Sequence, residues 1–222
     1  TAQKVFDDAQ KMLDQISAEN WLLCKGLSGI FKANTSGDDI LIKDAQTNET
    51  LHIQHTLRQQ TKKAQGQPNL ALSDFIAPTE TNLNDYIGAF VVCTGFSIET
   101  QLERFEKEHN DYDSIMLKAL ADRLAEAFAE YLHEKVRKEI WGYASKENLA
   151  NTELIAEAYR GIRPAPGYPA CPDHQEKLGI FKLLNATEKI GVELTESLAM
   201  YPTAAVSGWY FAHPDAKYFG LG

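Results

Sequence analysis

Apolar residues recur at helical spacing in two stretches of the chain. The first, residues 5–16, alternates apolar with charged positions and predicts an amphipathic helix that ends near Asn20. The second, residues 113–141, predicts one long helix with an apolar face in the core and a charged face in solvent. Its recurring apolar residues are Leu117, Leu120, Leu124, Phe128 and Tyr131. Shorter helices are expected to open at Asn151 and at Pro172.

Shorter apolar runs predict the strands. Residues 39–43 and 51–55 flank a polar, turn-rich segment and are typical of a β-hairpin with a long loop. The uncharged run 86–94 contains β-branched residues and predicts a buried strand. Two later runs, 191–201 and 204–211, indicate a further antiparallel pair. The fold class predicted is α+β, with a largely antiparallel sheet and flanking helices.

The composition is that of a soluble globular protein. A chain of 222 residues can bury roughly 70% of the surface that it exposes when unfolded, so it needs no disulfide or metal to hold a core. No apolar run approaches the ~20 residues of a membrane span, and we expect no membrane partner. The N-terminus does not resemble a secretion signal. Because the chain starts at Thr1 and not at a Met, we expect a single-domain fragment truncated at its N-terminus, with its C-terminus a second candidate for truncation.

Net charge and cysteine content limit the expected partners, cellular location and metal binding. A net charge of -9 opposes binding to phosphate backbones, so nucleic acid is excluded as a partner. Cys24, Cys93 and Cys171 are odd in number and far apart, which favours a reducing, cytoplasmic location over a disulfide scaffold. Cys171 and His174 have C-x-x-H spacing, but a zinc site needs further ligands and none lies nearby in sequence. We expect no metal.

The segment 161–172 has the most unusual composition, with four prolines and two glycines. Proline fixes its own φ and restricts the preceding residue, so a stiff, extended loop is expected. Such a loop has few ladder partners, which leaves backbone N–H and C=O groups for the edge of a polar ring such as adenine. Arg163 offers a planar fork suited to a carboxylate, and Tyr168 offers a ring and a hydroxyl. An ordinary rigid connection, with a surface arginine and a packed tyrosine, is the alternative at this point.

The same loop carries a family resemblance. Arg163-Pro164-Ala165-Pro166-Gly167-Tyr168 matches the R-x-x-x-G-Y pattern of the activation domain of cobalamin-dependent methionine synthase. Segments 122–130, 194–197 and 207–211 also resemble that family, so the similarity covers most of the chain. The resemblance implies a C-shaped domain with a twisted antiparallel sheet and a shallow groove that binds S-adenosylmethionine.

The resemblance implies that the domain helps to reactivate oxidised cobalamin during methionine biosynthesis. S-adenosylmethionine methylates cobalamin that has oxidised to an inactive state, while flavodoxin or a similar donor supplies an electron. Cobalamin is bound by another domain of the intact enzyme, a 5-methyltetrahydrofolate-homocysteine methyltransferase. The partners implied are therefore that cobalamin domain and the electron donor. We expect no catalytic residue in this chain, and we do not expect it to carry out the full reaction alone.

The resemblance also implies the residues that bind S-adenosylmethionine. Arg163 would hold the ligand carboxylate, the backbone of the loop would contact adenine, and Tyr168 would line the groove. Tyr218 falls at a family binding position, and Phe219 stands where the family commonly has a second tyrosine. Glu126 and Glu157 resemble acids of the site, with solvated helix carboxylates as the alternative. The predicted site comprises Arg163, Pro164, Ala165, Gly167, Tyr168, Tyr218, Phe219, Glu126 and Glu157.

An interaction module is the rival function. Such a module would dock the cobalamin domain and the electron donor without binding a nucleotide. Because flavodoxins and this chain are both acidic, that docking would need a local basic patch. Lys135, Arg137 and Lys138 are the candidates, and the solvated end of a helix is the alternative for them.

Overall fold

The computed structural model describes residues 1–222 as a mixed α and β structure. The helices are α1 (Ala2–Glu19), α2 (Ile98–Lys107), α3 (Asp111–Lys135), α4 (Asn151–Ile155), α5 (Glu176–Leu184) and α6 (Ala186–Ile190), and a π-helix (Val136–Ile140) continues α3. The strands are β1 (Leu23–Ser36), β2 (Asp39–Lys43), β3 (Thr50–His55), β4 (Asp85–Phe96), β5 (Glu193–Leu194), β6 (Met200–Tyr201) and β7 (Ala205–Tyr210). No helix has both the length and the apolar character needed to cross a membrane.

One five-stranded antiparallel sheet organises the chain, in the order β3-β2-β1-β4-β7. The predicted α+β class is confirmed, as are the β2–β3 hairpin and the buried strand at β4. The predicted first helix is also confirmed, and it ends where Asn20 adopts the left-handed conformation at φ 52°.

Side chains alternate between two helical layers. Along β4 and β7, Ala89 and Trp209 lie in a core that includes residues of α5 and α6. Their neighbours Phe90 and Tyr210 point to the opposite face and pack against α3. Successive side chains of a strand point to opposite faces of the sheet. Because both faces of these strands are apolar, helices cover the sheet on both sides. A smaller cluster joins α1, α2 and the first half of α3.

The central strand β1 was not among the predicted strands. It pairs with β4 on one side and β2 on the other, although Gly26 and Gly29 break its apolar pattern. A Cβ on Gly26 would lie 2.7 Å from the Phe128 ring, and one on Gly29 would lie 2.9 Å from Leu184. The two glycines therefore admit side chains from the helices on either face.

The predicted pairing of runs 191–201 and 204–211 is wrong. β7 pairs with β4 over six residue pairs, from Gly88↔Tyr210 to Cys93↔Ala205. The first run instead folds on itself, because β5 and β6 form a separate two-stranded ladder. The uncharged strand β7 pairs with the buried strand β4, which lies more than 100 residues earlier in the chain. Pairing over such a distance depends on tertiary packing and leaves no local sequence signal.

The long helix is confirmed, but its buried stripe lies beside the predicted one. Tyr131 is 53% exposed, and Leu120, Leu124 and Phe128 are only partly buried. The residues of α3 that are fully packed are Met116, Leu117, Ala121, Ala125, Ala129, Leu132 and His133. The alanines recur every fourth residue, and their small side chains let α3 approach the sheet closely. The predicted helix at Pro172 begins only at Glu176.

Candidate functional site

A groove of about 560 Å³ opens between α3, the edge of β7 and the proline-rich loop. Its size lies within the roughly 300–1,000 Å³ of small-molecule sites. Every predicted site residue except Gly167 lines it. The other lining residues are Phe90, Pro169, Ala170, Val206 and Gly220. The predicted residues come from four separate parts of the chain: the helix α3, the segment after α4, the loop and the C-terminal tail. The strands β4 and β7 complete the lining.

Backbone pairing with the edge of β7 holds the loop in place. Ile162 and Phe211 exchange two N–H···O bonds of 3.0 Å, and Trp209 N–H donates to the Pro164 carbonyl at 3.0 Å. A Cβ on Gly208 would lie 2.7 Å from that carbonyl, so only glycine allows the loop this close to the strand. The loop is stiff because of its prolines and is also anchored to the sheet.

Fewer backbone groups of the loop are free than the sequence led us to expect. Arg163 N–H donates to the Tyr218 hydroxyl at 3.0 Å, and the Pro164 carbonyl accepts from β7. Tyr168 N–H donates to the Ala165 carbonyl at 3.2 Å. The Ala165 N–H and the Arg163 carbonyl have no partner in the protein, and both belong to residues that line the groove. Within residues 163–165, one donor and one acceptor therefore remain for the edge of a ligand.

Gly167 shapes the loop from outside the groove lining. Its φ is +98°, a conformation that side chains rarely adopt, and its N–H donates to the Cys171 carbonyl at 2.8 Å. A Cβ at this position would meet the ring of His174, with both ring nitrogens at 3.0 Å. The glycine is therefore required by the turn itself.

Arg163 has one side of its guanidinium fixed by the protein. Nη1 donates to the Tyr159 hydroxyl at 2.6 Å and approaches His133 Nδ1 at 3.3 Å. Nη2 lies 2.8 Å from Glu130 Oε2. Since a guanidinium has five N–H donors, Nε and the edge that it shares with Nη2 are the part left for a ligand. The side chain is 18% exposed, so this edge is only partly hydrated.

His133 supports Arg163 as a neutral imidazole. It is fully buried, and its ring stacks on Tyr210 at 5.0 Å between centroids. Desolvation lowers the pKa of His133 well below its ordinary value, and the charges of Arg137 and Arg163 lower it further. The neutral ring can accept at Nδ1 from Arg163, while Nε2 faces the Tyr143 hydroxyl at 3.5 Å.

Arg137 is a buried structural residue and not part of a basic patch. It is fully buried, its Nε and Nη2 contact the Glu147 carboxylate at 2.7–3.0 Å, and its guanidinium lies 4.0 Å from the centre of the Tyr159 ring. Lys135 and Lys138 each pair with a glutamate four residues away on the surface. Burial removes Arg137 from the candidate basic patch, and the two lysines that remain fit the alternative of a solvated helix end with paired charges.

Two free carboxylates lie in the same groove as Arg163. Glu126 projects from α3 and Glu157 follows α4; both are exposed and neither forms a hydrogen bond or ion pair with the protein. Glu157 has a φ of 54°, in the left-handed region that residues other than glycine seldom adopt. Strain of this kind is held in place by surrounding structure and is common at functional sites. The groove thus offers a cation and two anions to a single ligand.

The exposed aromatic residues of the groove come from the proline-rich loop and from the C-terminal tail. Tyr168 is 60% exposed, and Tyr218 is 41% exposed with its hydroxyl bonded to the loop. Phe219 packs partly against the core. The tail that carries Tyr218 and Phe219 is held by Gln60 N–H, which donates to the Leu221 carbonyl at 2.8 Å.

No three His, Cys, Asp or Glu side chains converge in a geometry that could hold a metal. Burial raises the pKa of the Cys171 thiol to about 12, so it remains protonated at neutral pH. Zinc binding at Cys171 would have to release this proton. His174 packs over Gly167 instead.

Several residues of the site were not predicted from the sequence. Phe90 and Val206 reach the groove only because β4 and β7 pair, and no local pattern marks them. Tyr159 and Glu130 lie behind Arg163. The spacing of Tyr159 four residues before Arg163 is a weak signal that a contact between them was possible.

Both a family model and a solved structure match this chain. A family model described as "Vitamin B12 dependent methionine synthase, activation domain" matches residues 1–222. The chain is also similar to a crystal structure of the MetH reactivation domain bound to AdoHcy, with a TM-score of 0.94 and 55% sequence identity. That match covers 100% of this chain and 68% of the solved one.

Proposed function

This chain belongs to the family of activation domains of vitamin B12-dependent methionine synthases, and from that premise we propose which of its residues bind S-adenosylmethionine. The similar MetH domain is bound to AdoHcy, the same ligand without its transferable methyl group. The groove beside the proline-rich loop is the proposed site. Its charges and its free backbone groups are the basis for the assignment.

The ligand chemistry and the groove chemistry fit each other. S-adenosylmethionine has a carboxylate, an ammonium group, a sulfonium group and an adenine ring. In the proposal, the open edge of Arg163 takes the carboxylate, and Glu126 and Glu157 face the two cationic groups. The unpaired Ala165 N–H and Arg163 carbonyl take the polar edge of adenine, while the partly exposed Val206 supplies apolar surface above the buried Phe90.

The single observation that carries the proposal is the arrangement of charge around Arg163. Its guanidinium is fixed on one side by Tyr159, His133 and Glu130 and faces the groove with the rest. A prearranged fork binds a carboxylate with little loss of side-chain entropy. A surface arginine of an ordinary connecting loop would not need three internal partners.

In the intact enzyme this domain lies beside the cobalamin domain, and we propose that the bound ligand supplies the methyl group that restores methylcobalamin there. The residues of this chain bind and orient the ligand, and the chain alone does not complete the methyltransferase reaction. Flavodoxin or a similar donor is the proposed source of the electron. The rival interaction module loses Arg137 from its candidate surface, since Arg137 is buried, and the two nearby lysines are each paired with a glutamate.

Isothermal titration calorimetry with S-adenosylmethionine tests the assignment. We expect saturable binding by the chain and a loss of about tenfold or more for Arg163→Ala, from a charge-assisted contact of roughly 1.5–3 kcal/mol. Arg160→Ala is the matched control, because Arg160 is an exposed arginine of the same segment outside the groove. Equal losses in both variants, or no heat at millimolar ligand, would contradict the proposal.

A further inference from the structure

We propose that Tyr159 is the positioning residue that sets the carboxylate selectivity of the groove. The inference rests on the proposed function, because it concerns how Arg163 is held for its ligand. Tyr159 does not line the groove and is 8% exposed. Its role would be to fix the guanidinium from behind, so that Nε and the Nη2 edge face the ligand.

The hydroxyl of Tyr159 has Arg163 as its hydrogen-bond partner. The distance from Nη1 to the hydroxyl oxygen is 2.6 Å, shorter than the contact of 3.3 Å between Nη1 and His133. Both Nη1 hydrogens are thereby assigned to the protein interior. An arginine side chain has many rotamers, and these two acceptors select the one that turns the other edge outward.

Tyr159 can act as a fixed anchor because its own ring is immobilised. Arg137 lies over one side of the ring at 4.0 Å, and His133 meets it edge-on at 5.0 Å between centroids. Arg137 is held in turn by the Glu147 carboxylate. A chain of buried contacts therefore runs from the π-helix after α3 through Tyr159 to Arg163.

Glu130 makes the anchor necessary. Its Oε2 lies 2.8 Å from Nη2 of Arg163, and Nη2 also belongs to the edge that is left for the ligand carboxylate. Without the Tyr159 hydroxyl, the guanidinium could rotate to make a closer, two-pronged pair with Glu130. Such a pair would consume the edge meant for the ligand. Tyr159 thus keeps the fork available by holding its opposite side.

Two ligands that differ by one group isolate this effect. S-adenosylhomocysteine and its decarboxylated analogue share the adenosine, the thioether and the amine, and only the first has the carboxylate. We expect Tyr159→Phe to weaken S-adenosylhomocysteine about three- to tenfold, the value of one hydrogen bond, and to leave the analogue unchanged. Phenylalanine keeps the ring and its packing. Tyr131→Phe, an exposed tyrosine on α3, is the matched control and should change neither affinity.

A double-mutant cycle separates positioning from a general structural effect. In the Arg163→Ala background, Tyr159→Phe should have no further effect on S-adenosylhomocysteine, because the group that it positions is gone. Equal weakening of both ligands, an additive cycle, or an unchanged preference for the carboxylate would overturn the inference. If the unmodified chain binds neither ligand, the proposed function itself fails, and the inference falls with it.

Discussion

Replacing Gly167 by alanine tests whether the turn of the loop depends on its backbone conformation. The residue has a φ of +98°, and a Cβ there would crowd the ring of His174. Because His174 is exposed, its ring can rotate away at little cost, whereas the backbone strain remains. Holding a residue other than glycine in such a region costs about 1–3 kcal/mol. We therefore expect Gly167→Ala to lower the melting temperature by about 2–12 °C, by the scaling for chains of this size.

Calorimetric melting distinguishes backbone strain at residue 167 from a clash with the His174 ring. The proteins compared are wild type, Gly167→Ala, His174→Ala and the double variant. His174→Ala alone should change stability by less than about 0.5 kcal/mol, as a surface substitution. Gly167→Ala with His174→Ala should melt as low as Gly167→Ala, since removing the ring does not relieve φ. Full recovery in the double variant would show that the clash was responsible. A Gly167→Ala protein that melts like wild type would refute the argument altogether.

Three further predictions concern the groups behind the groove. Arg163→Ala should lower the stability of the unliganded chain by about 1 kcal/mol, measured by urea unfolding, because the contacts to Tyr159 and Glu130 are lost. Glu147→Gln should cost about 3 kcal/mol in the same assay, since it removes the nearer of the two carboxylate charges that face the buried Arg137. The folded-state pKa of His133 is lowered, so below pH 6.5 the unfolded chain binds a proton that the folded chain does not. The free energy of unfolding should therefore decrease as the pH is lowered below 6.5, by up to about 1.4 kcal/mol per pH unit. In urea unfolding across this range, His133→Gln should show a smaller decrease. Equal decreases in both proteins would contradict the prediction.

Local patterns were enough to predict much of the framework. The helix ending at Asn20, the β2–β3 hairpin and strand β4 follow from periodicity and turn residues close together in sequence. Strand β1 could not be predicted in this way, since Gly26 and Gly29 interrupt its alternation for the sake of side chains on distant helices. Its place at the centre of the sheet is a tertiary property.

Only some residues of the candidate site could be predicted from the sequence. The loop from Arg163 to Tyr168 stood out by composition and by its resemblance to a family, and the structure brings most of the predicted residues into one groove. The buried residues that hold Arg163 from behind had no distinctive sequence pattern. Arg137 has the sequence environment of a solvated helix face, and its burial depends on Glu147 ten residues later and on the ring of Tyr159. Burial of a charge is set by its partners, which a single sequence does not display.

The most direct test of the central claim is a crystal structure of this chain grown with saturating S-adenosylmethionine. We predict ligand density in the groove, with the carboxylate about 2.7–2.9 Å from the Nε and Nη2 edge of Arg163 and adenine at the Ala165 N–H. The contact between Arg163 and Tyr159 should persist in that structure. A ligand bound elsewhere, or one seated in the groove with its carboxylate turned away from Arg163, would contradict the account.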